Sequence, residues 1–107
     1  MDFRDLEKLG YVVRSKLVKE RSLLGGDVVR KAVVVEGRDV LLRLSEIGSR
    51  YRLVVIADSS AKEVLEEEGM DVAEIGEDTV MGSASYRSIV EASTTLRRLA
   101  AKFATRS

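Results

Sequence analysis

Residues 52–58 read Arg-Leu-Val-Val-Ile-Ala-Asp, five consecutive apolar side chains between charges, and this run constrains the fold more than any other stretch. Val54, Val55 and Ile56 are β-branched, and the run is too short for a buried helix, so it predicts a strand covered on both faces. On either side lie helical patterns, and beyond them further Val- and Ile-rich segments. The order strand, helix, strand, helix, strand predicts an α/β fold: a mixed sheet of four or five strands, helices on both faces and a long C-terminal helix. A chain of 107 residues builds one such domain, residues 1–107, around a single core.

The flanking elements follow from local chemistry. Residues 2–9 predict a short helix, with Asp2 as cap, Phe3, Leu6 and Leu9 on one face and Gly10 at the stop. Residues 11–18 alternate loosely and fit either a half-exposed strand or a continued helix. Gly25-Gly26-Asp27 is the clearest turn signal, and the five valines of residues 28–36 predict a strand after it. Residues 39–47 favour a helix capped by Asp39, with Val40, Leu44 and Ile47 on one stripe and Gly48 as stop; a hairpin turning at 36–39 is the rival. Ser60-Ala61-Lys62-Glu63 has the form of a capping box opening a helix at 61–68 that Gly69 closes, and 70–75 is a further strand before the turn Gly76-Glu77-Asp78. Residues 83–103 form the longest helical pattern, in which Tyr86, Ile89, Ser93, Leu96, Ala100 and Phe103 alternate at three and four. That stripe either covers the sheet or, through Tyr86, Ile89, Leu96 and Phe103, makes a homodimer seam.

Composition narrows the chemistry. With no cysteine, disulfides and thiolate catalysis are excluded, and with no histidine the commonest general base near neutral pH and the commonest zinc ligand are gone. Any metal would be a hard ion such as Mg²⁺ or Mn²⁺ held by carboxylates. No apolar run is long enough to span a bilayer and no secretory apolar region follows the charged start, so the expected location is cytoplasmic, with no membrane partner. Twelve arginines against six lysines and the missing cysteine fit a thermophilic source. The net charge of zero conceals a segregation: residues 1–57 carry 12 basic and 8 acidic side chains, 58–80 carry 1 and 9, and 81–107 carry 5 and 1. Such a chain can draw a polyanion to one face and repel it from another.

Three residues are the candidates for chemistry: Asp27, at or before the start of the 28–36 strand, Glu36 at its end, and Arg38 two residues on. Eight or nine extended residues span about 27 to 30 Å, so Asp27 and Glu36 meet at one ion only if that strand bends or part of it is a turn. The order of elements resembles the PD-(D/E)xK nuclease superfamily. In that comparison Leu6 to Arg14 is similar to the first helix passing into the first strand, Gly26-Asp27 to the metal-binding aspartate turn, Val33 to Arg38 to the E-x-K strand, and Leu53 to Ile56 and then Ala61 to Ile75 to the strand and the helix-Gly-apolar ending that follow. Gly10-Tyr11-Val12-Val13-Arg14 is also similar to the opening of the catalytic domain of archaeal tRNA-splicing endonucleases. The resemblance implies a nuclease-like domain, active or catalytically degenerate, that acts on or binds DNA or RNA. If active, Asp27 and Glu36 would hold Mg²⁺ or Mn²⁺, and Arg38, where the superfamily has lysine, would steady the phosphate.

Asp58-Ser59-Ser60 is a second candidate, since ligands gather at strand C-termini in open α/β sheets and a helix N-terminus attracts anions; its plain alternative is a helix cap. Val33 to Asp39 followed by Leu53 to Asp58 is similar to Toprim domains, but the second strand lacks their Asp-x-Asp ending. Two basic groups, Arg14, Lys16, Lys19, Arg21, Arg30 and Lys31 in the first half and Arg97, Arg98 and Lys102 in the last helix, are candidates for phosphate contact. Against the nuclease-like reading stands a non-enzymatic dimerising module built on the C-terminal stripe.

Overall fold

The computed structural model describes residues 2–21 and 24–105, with the side chains of Glu20 and Arg21 left aside. Its centre is a six-stranded sheet: β1 (Val12–Arg21), β2 (Asp27–Glu36), β3 (Val40–Ile47), β4 (Arg50–Asp58), β5 (Asp71–Gly76) and β6 (Thr79–Tyr86). The spatial order is β1-β2-β3-β4-β6-β5 and every neighbouring pair is antiparallel. The helices are α1 (Lys62–Glu67) and α2 (Ile89–Thr105), with short 3₁₀ helices at Arg4–Leu9 and Ser59–Ala61. The expected mixed sheet of four or five strands with helices on both faces is therefore corrected. The first four strands are consecutive hairpins, which need no helical crossover and so force antiparallel pairing.

Register fixes what each face carries. Val13, Val35, Leu42, Val55, Gly82 and Val72 stand in one cross-strand row, and Ser15, Val33, Leu44, Leu53 and Ala84 in the next. These rows hold the large core residues, Leu42, Leu44, Leu53 and Val55 being fully buried, and α2 covers them with Ala92, Leu96, Leu99 and Ala100. Phe3, Leu6 and Tyr11 close the same core. Each buried leucine contributes about 1.5 to 3 kcal/mol by removal from water. The opposite face has no helix on it: Ala32, Val34 and Val54 are buried there yet lie outside the core cluster.

Two sequence readings change here. Residues 39–47 are not a helix: Val40, Leu42 and Leu44 face the core at a period of two, and the rival hairpin is what forms. The long helix starts at Ile89, since residues 83–86 belong to β6. Ser88 caps it, its Oγ accepting from the Val90 N–H at 3.2 Å. The stripe of Tyr86, Ile89, Leu96 and Phe103 lies on this chain's own core, with Leu96 fully buried and the other three packed against the cluster, so it is not an open homodimer seam. Among the described residues no helix is long and apolar enough to cross a membrane.

Close approach explains two glycines. A Cβ on Gly37 would stand 2.6 Å from the Tyr11 ring, and one on Gly82 3.1 Å from Leu65 Cδ1, where α1 presses on β6. Glycine at these points lets the ring and the helix pack directly on backbone.

Candidate functional site

β2 is a ten-residue strand with Asp27 at one end and Glu36 at the other, paired without interruption to β1 from Val12↔Glu36 to Arg21↔Asp27. That ladder holds the two carboxylates about 30 Å apart. The bend that a shared ion requires does not occur, so these residues do not fit a common Mg²⁺ or Mn²⁺ site. Asp27 Oδ2 instead lies 3.2 Å from Lys19 Nζ on the neighbouring strand. Among the described residues no group of three carboxylates is placed to hold a metal ion.

Glu36 and Arg38 remain near each other, on the rim of a shallow, solvent-open depression of about 380 Å³ where the β2–β3 turn meets the ends of β4 and β6. Asp39, Asp58, Asp78 and Thr79 share that rim. Asp58 serves as a cap: its Oδ1 accepts from the Ser60 N–H at 2.9 Å, while the Ser59 N–H donates to the Asp78 carbonyl. The plain alternative for Asp58-Ser59-Ser60 is thus the observed one. The carboxylates around this depression disfavour a second anion.

Charge is organised on a larger scale than these turns. On the helix-free face the register places Arg14, Val34, Arg43, Val54 and Ser83 in one row, and Lys16, Ala32, Ser45, Arg52 and Ser85 in the next. Arg30 falls on the same face, two residues from Ala32 along β2. Arg14 and Arg43 are two strands apart, about 10 Å. Among the described residues no carboxylate pairs with Arg14, Lys16, Arg43 or Arg52. Arg43 sits between Val34 and Val54, which are only 9% and 5% exposed although no helix covers them. A long aliphatic stem lying across the valines accounts for that. Arg43 Nε is shielded from water and has no acceptor among the described residues.

The cations of the helical layer are in a different state. Arg98 Nε lies 2.8 Å and Lys102 Nζ 3.0 Å from Glu68 Oε1. Arg98 first, then Lys102, hold the Glu68 carboxyl below its ordinary range against the opposing effect of burial. Arg97 pairs with Asp5, donates to the Asp2 carbonyl at 2.7 Å, and lies 4.7 Å over the Phe3 ring. Arg97, Arg98 and Lys102, the second basic group expected from sequence, are thus engaged in holding the fold.

Position along the sheet completes the polarity. β1 and β2 form the basic edge, whereas α1 and β5 bring Glu63, Glu66, Glu67, Asp71 and Glu74 to the opposite edge. Sequence reading found Arg14, Lys16 and Arg30 but passed over Arg43 and Arg52; an antiparallel register for 40–58 was the missing signal, because it alone puts them beside Arg14. The side chain of Arg21 lies outside the described residues. The chain matches no family model, no curated protein and no solved structure.

Proposed function

We propose that this protein is a nucleic-acid-binding domain that takes the phosphate backbone on the helix-free face of its sheet and carries out no metal-dependent cleavage there. The observation that supports the reading is the contrast between the two layers: Arg97, Arg98 and Lys102 are neutralised by carboxylates, whereas among the described residues Arg14, Lys16, Arg43 and Arg52 are not. Cations set about 7 to 16 Å apart on a rigid sheet match a polyanion better than a small ligand, which needs an enclosing cavity. The acidic α1 and β5 edge repels the same polyanion, which limits binding to one side. The nuclease resemblance agrees on the ligand; the separation of Asp27 and Glu36 is why the reading stops at binding.

Fluorescence anisotropy with a labelled mixed-sequence DNA, titrated at several salt concentrations, tests it. Binding should weaken linearly in log–log form as salt rises, and the triple variant Arg14→Glu, Arg43→Glu, Arg52→Glu should lose it while Lys62→Glu on α1 retains it. An unchanged affinity for the triple variant, with its melting curve intact, would refute the proposal.

A further inference from the structure

The ladder between β1 and β2 runs longer than the sheet it belongs to. β1 pairs with β2 over ten positions, but β2 pairs with β3 only from Ala32 to Glu36. The five pairs from Leu17↔Lys31 to Arg21↔Asp27 therefore lie beyond the pairing with β3, as a two-stranded ribbon about 15 Å long. Its helix-side face is open, with Leu17 71% and Val29 59% exposed, and Leu24 in the turn is 98% exposed. Exposed apolar side chains on a cation-bearing projection mark a contact surface rather than a packing element.

A second observation concerns the aromatic residues. Phe3 and Tyr11 are buried in the core, and Tyr51, Tyr86 and Phe103 pack against it from the helical side. These are the chain's two phenylalanines and three tyrosines, and it has no tryptophan. The helix-free face thus has no ring on which an unpaired base can stack, and stacking is what single-strand binders use to hold bases. What it presents instead is a set of cations with apolar and hydroxyl side chains between them, suited to a regular backbone.

Building on the binding function proposed above, we infer that the ligand is double-stranded DNA, with the phosphates on the cationic sheet face and the β1–β2 ribbon entering the major groove. Two strands side by side are about 10 Å across, and the major groove of B-form DNA, roughly 12 Å wide, admits a two-stranded ribbon. The corresponding groove of an RNA duplex is deep and narrow and does not. Within the groove Leu17 and Val29 meet base methyl groups and sugar edges, and Lys31 reaches a phosphate on the flank away from the sheet face.

The test uses the full chain with one labelled DNA duplex, its separated strands and an RNA duplex of the same sequence. The DNA duplex should bind about ten-fold more tightly than either competitor, by losing neither stacking nor groove contacts. Lys31→Glu and Val29→Glu lie on the ribbon flank that faces away from Arg14 and Arg43, so each separates ribbon entry from adhesion to the sheet face. Both should weaken duplex binding about five- to ten-fold, with unchanged melting curves. Strands or RNA bound as tightly as the DNA duplex would overturn the ligand class while leaving nucleic-acid binding standing. Wild-type affinity in both ribbon variants would overturn groove entry, including the case in which the ribbon serves a protein partner. Failure of every nucleic acid to bind at low salt would remove the binding function and this inference together.

Discussion

The Tyr11 hydroxyl donates a 2.5 Å hydrogen bond to the carbonyl of Ala100, tying the residue ahead of β1 to the last helix across 89 positions of sequence. Burial pushes the Tyr11 phenol up, so the group stays a neutral donor throughout the ordinary pH range. Tyr11→Phe keeps the ring and leaves that carbonyl without its donor. The variant should lose about 1 kcal/mol, seen as a fall of about 4 to 8 °C in melting temperature for a domain of this size.

The same ring covers Gly37. Gly37→Ala places a methyl 2.6 Å from Tyr11 Cε1 and 3.1 Å from a Val40 methyl, and overpacking of this kind costs about 1 to 3 kcal/mol. In a double-mutant cycle with Tyr11→Leu, which shortens the side chain, the two substitutions should be strongly non-additive by denaturant unfolding. Strict additivity would mean that the clash is relieved elsewhere.

Glu68 supplies the pH dependence. Its folded carboxyl sits below the ordinary glutamate value of 4.5, chiefly because Arg98 donates to it. A group lowered on folding stabilises above its unfolded value and loses that contribution as pH falls through its folded value. Glu68→Gln should therefore melt earlier than the parent at neutral pH, and the two curves should converge as pH drops below 4.5. The neutral-pH difference should be about 1 kcal/mol, low for charge-assisted bonds because Arg98 and Lys102 are about half exposed and screened.

Leu96 separates core from seam. It is fully buried between α2 and the sheet, so Leu96→Ala should cost about 2 to 5 kcal/mol by thermal unfolding. Sedimentation of the folded variant should give the same oligomeric state as the parent, because the residue contacts its own chain.

On the sheet face, Arg43→Gln should reduce the slope of log affinity against log salt by about one for DNA. Arg87→Gln, in the loop ahead of α2, should leave it unchanged. Equal slopes in Arg43→Gln and the parent would place Arg43 outside the interface.

Much of this was legible in the residues, and the failures share a physical cause. The valine run of β2 and the apolar run of β4 announced themselves through β-branching, and Gly25-Gly26 marked the turn between β1 and β2. β3 was obscured because its outer face carries Leu41 beside Arg43, so the period of two vanishes under leucines that also suit a helix. β6 was obscured by its own packing: Gly82 has no side chain because Leu65 and Met70 press on it, and Ser83, Ala84 and Ser85 lack the β-branched bulk that signals a strand. Misplacing those two strands hid the candidate site as well. Arg43 and Arg52 join Arg14 and Lys16 only through cross-strand pairing, which local patterning does not encode.

The covering of the core by α2 sets an order of events during synthesis. The four hairpin-linked strands leave the ribosome before α2 and can pair as they emerge, since each contact closes a short loop. Their inner rows, Leu42, Leu44, Leu53 and Val55, then wait for Leu96 and Leu99, which follow them in the chain. Until those arrive, the nascent sheet shows water an apolar surface that the finished molecule hides, and this is the interval in which a chaperone has something to hold.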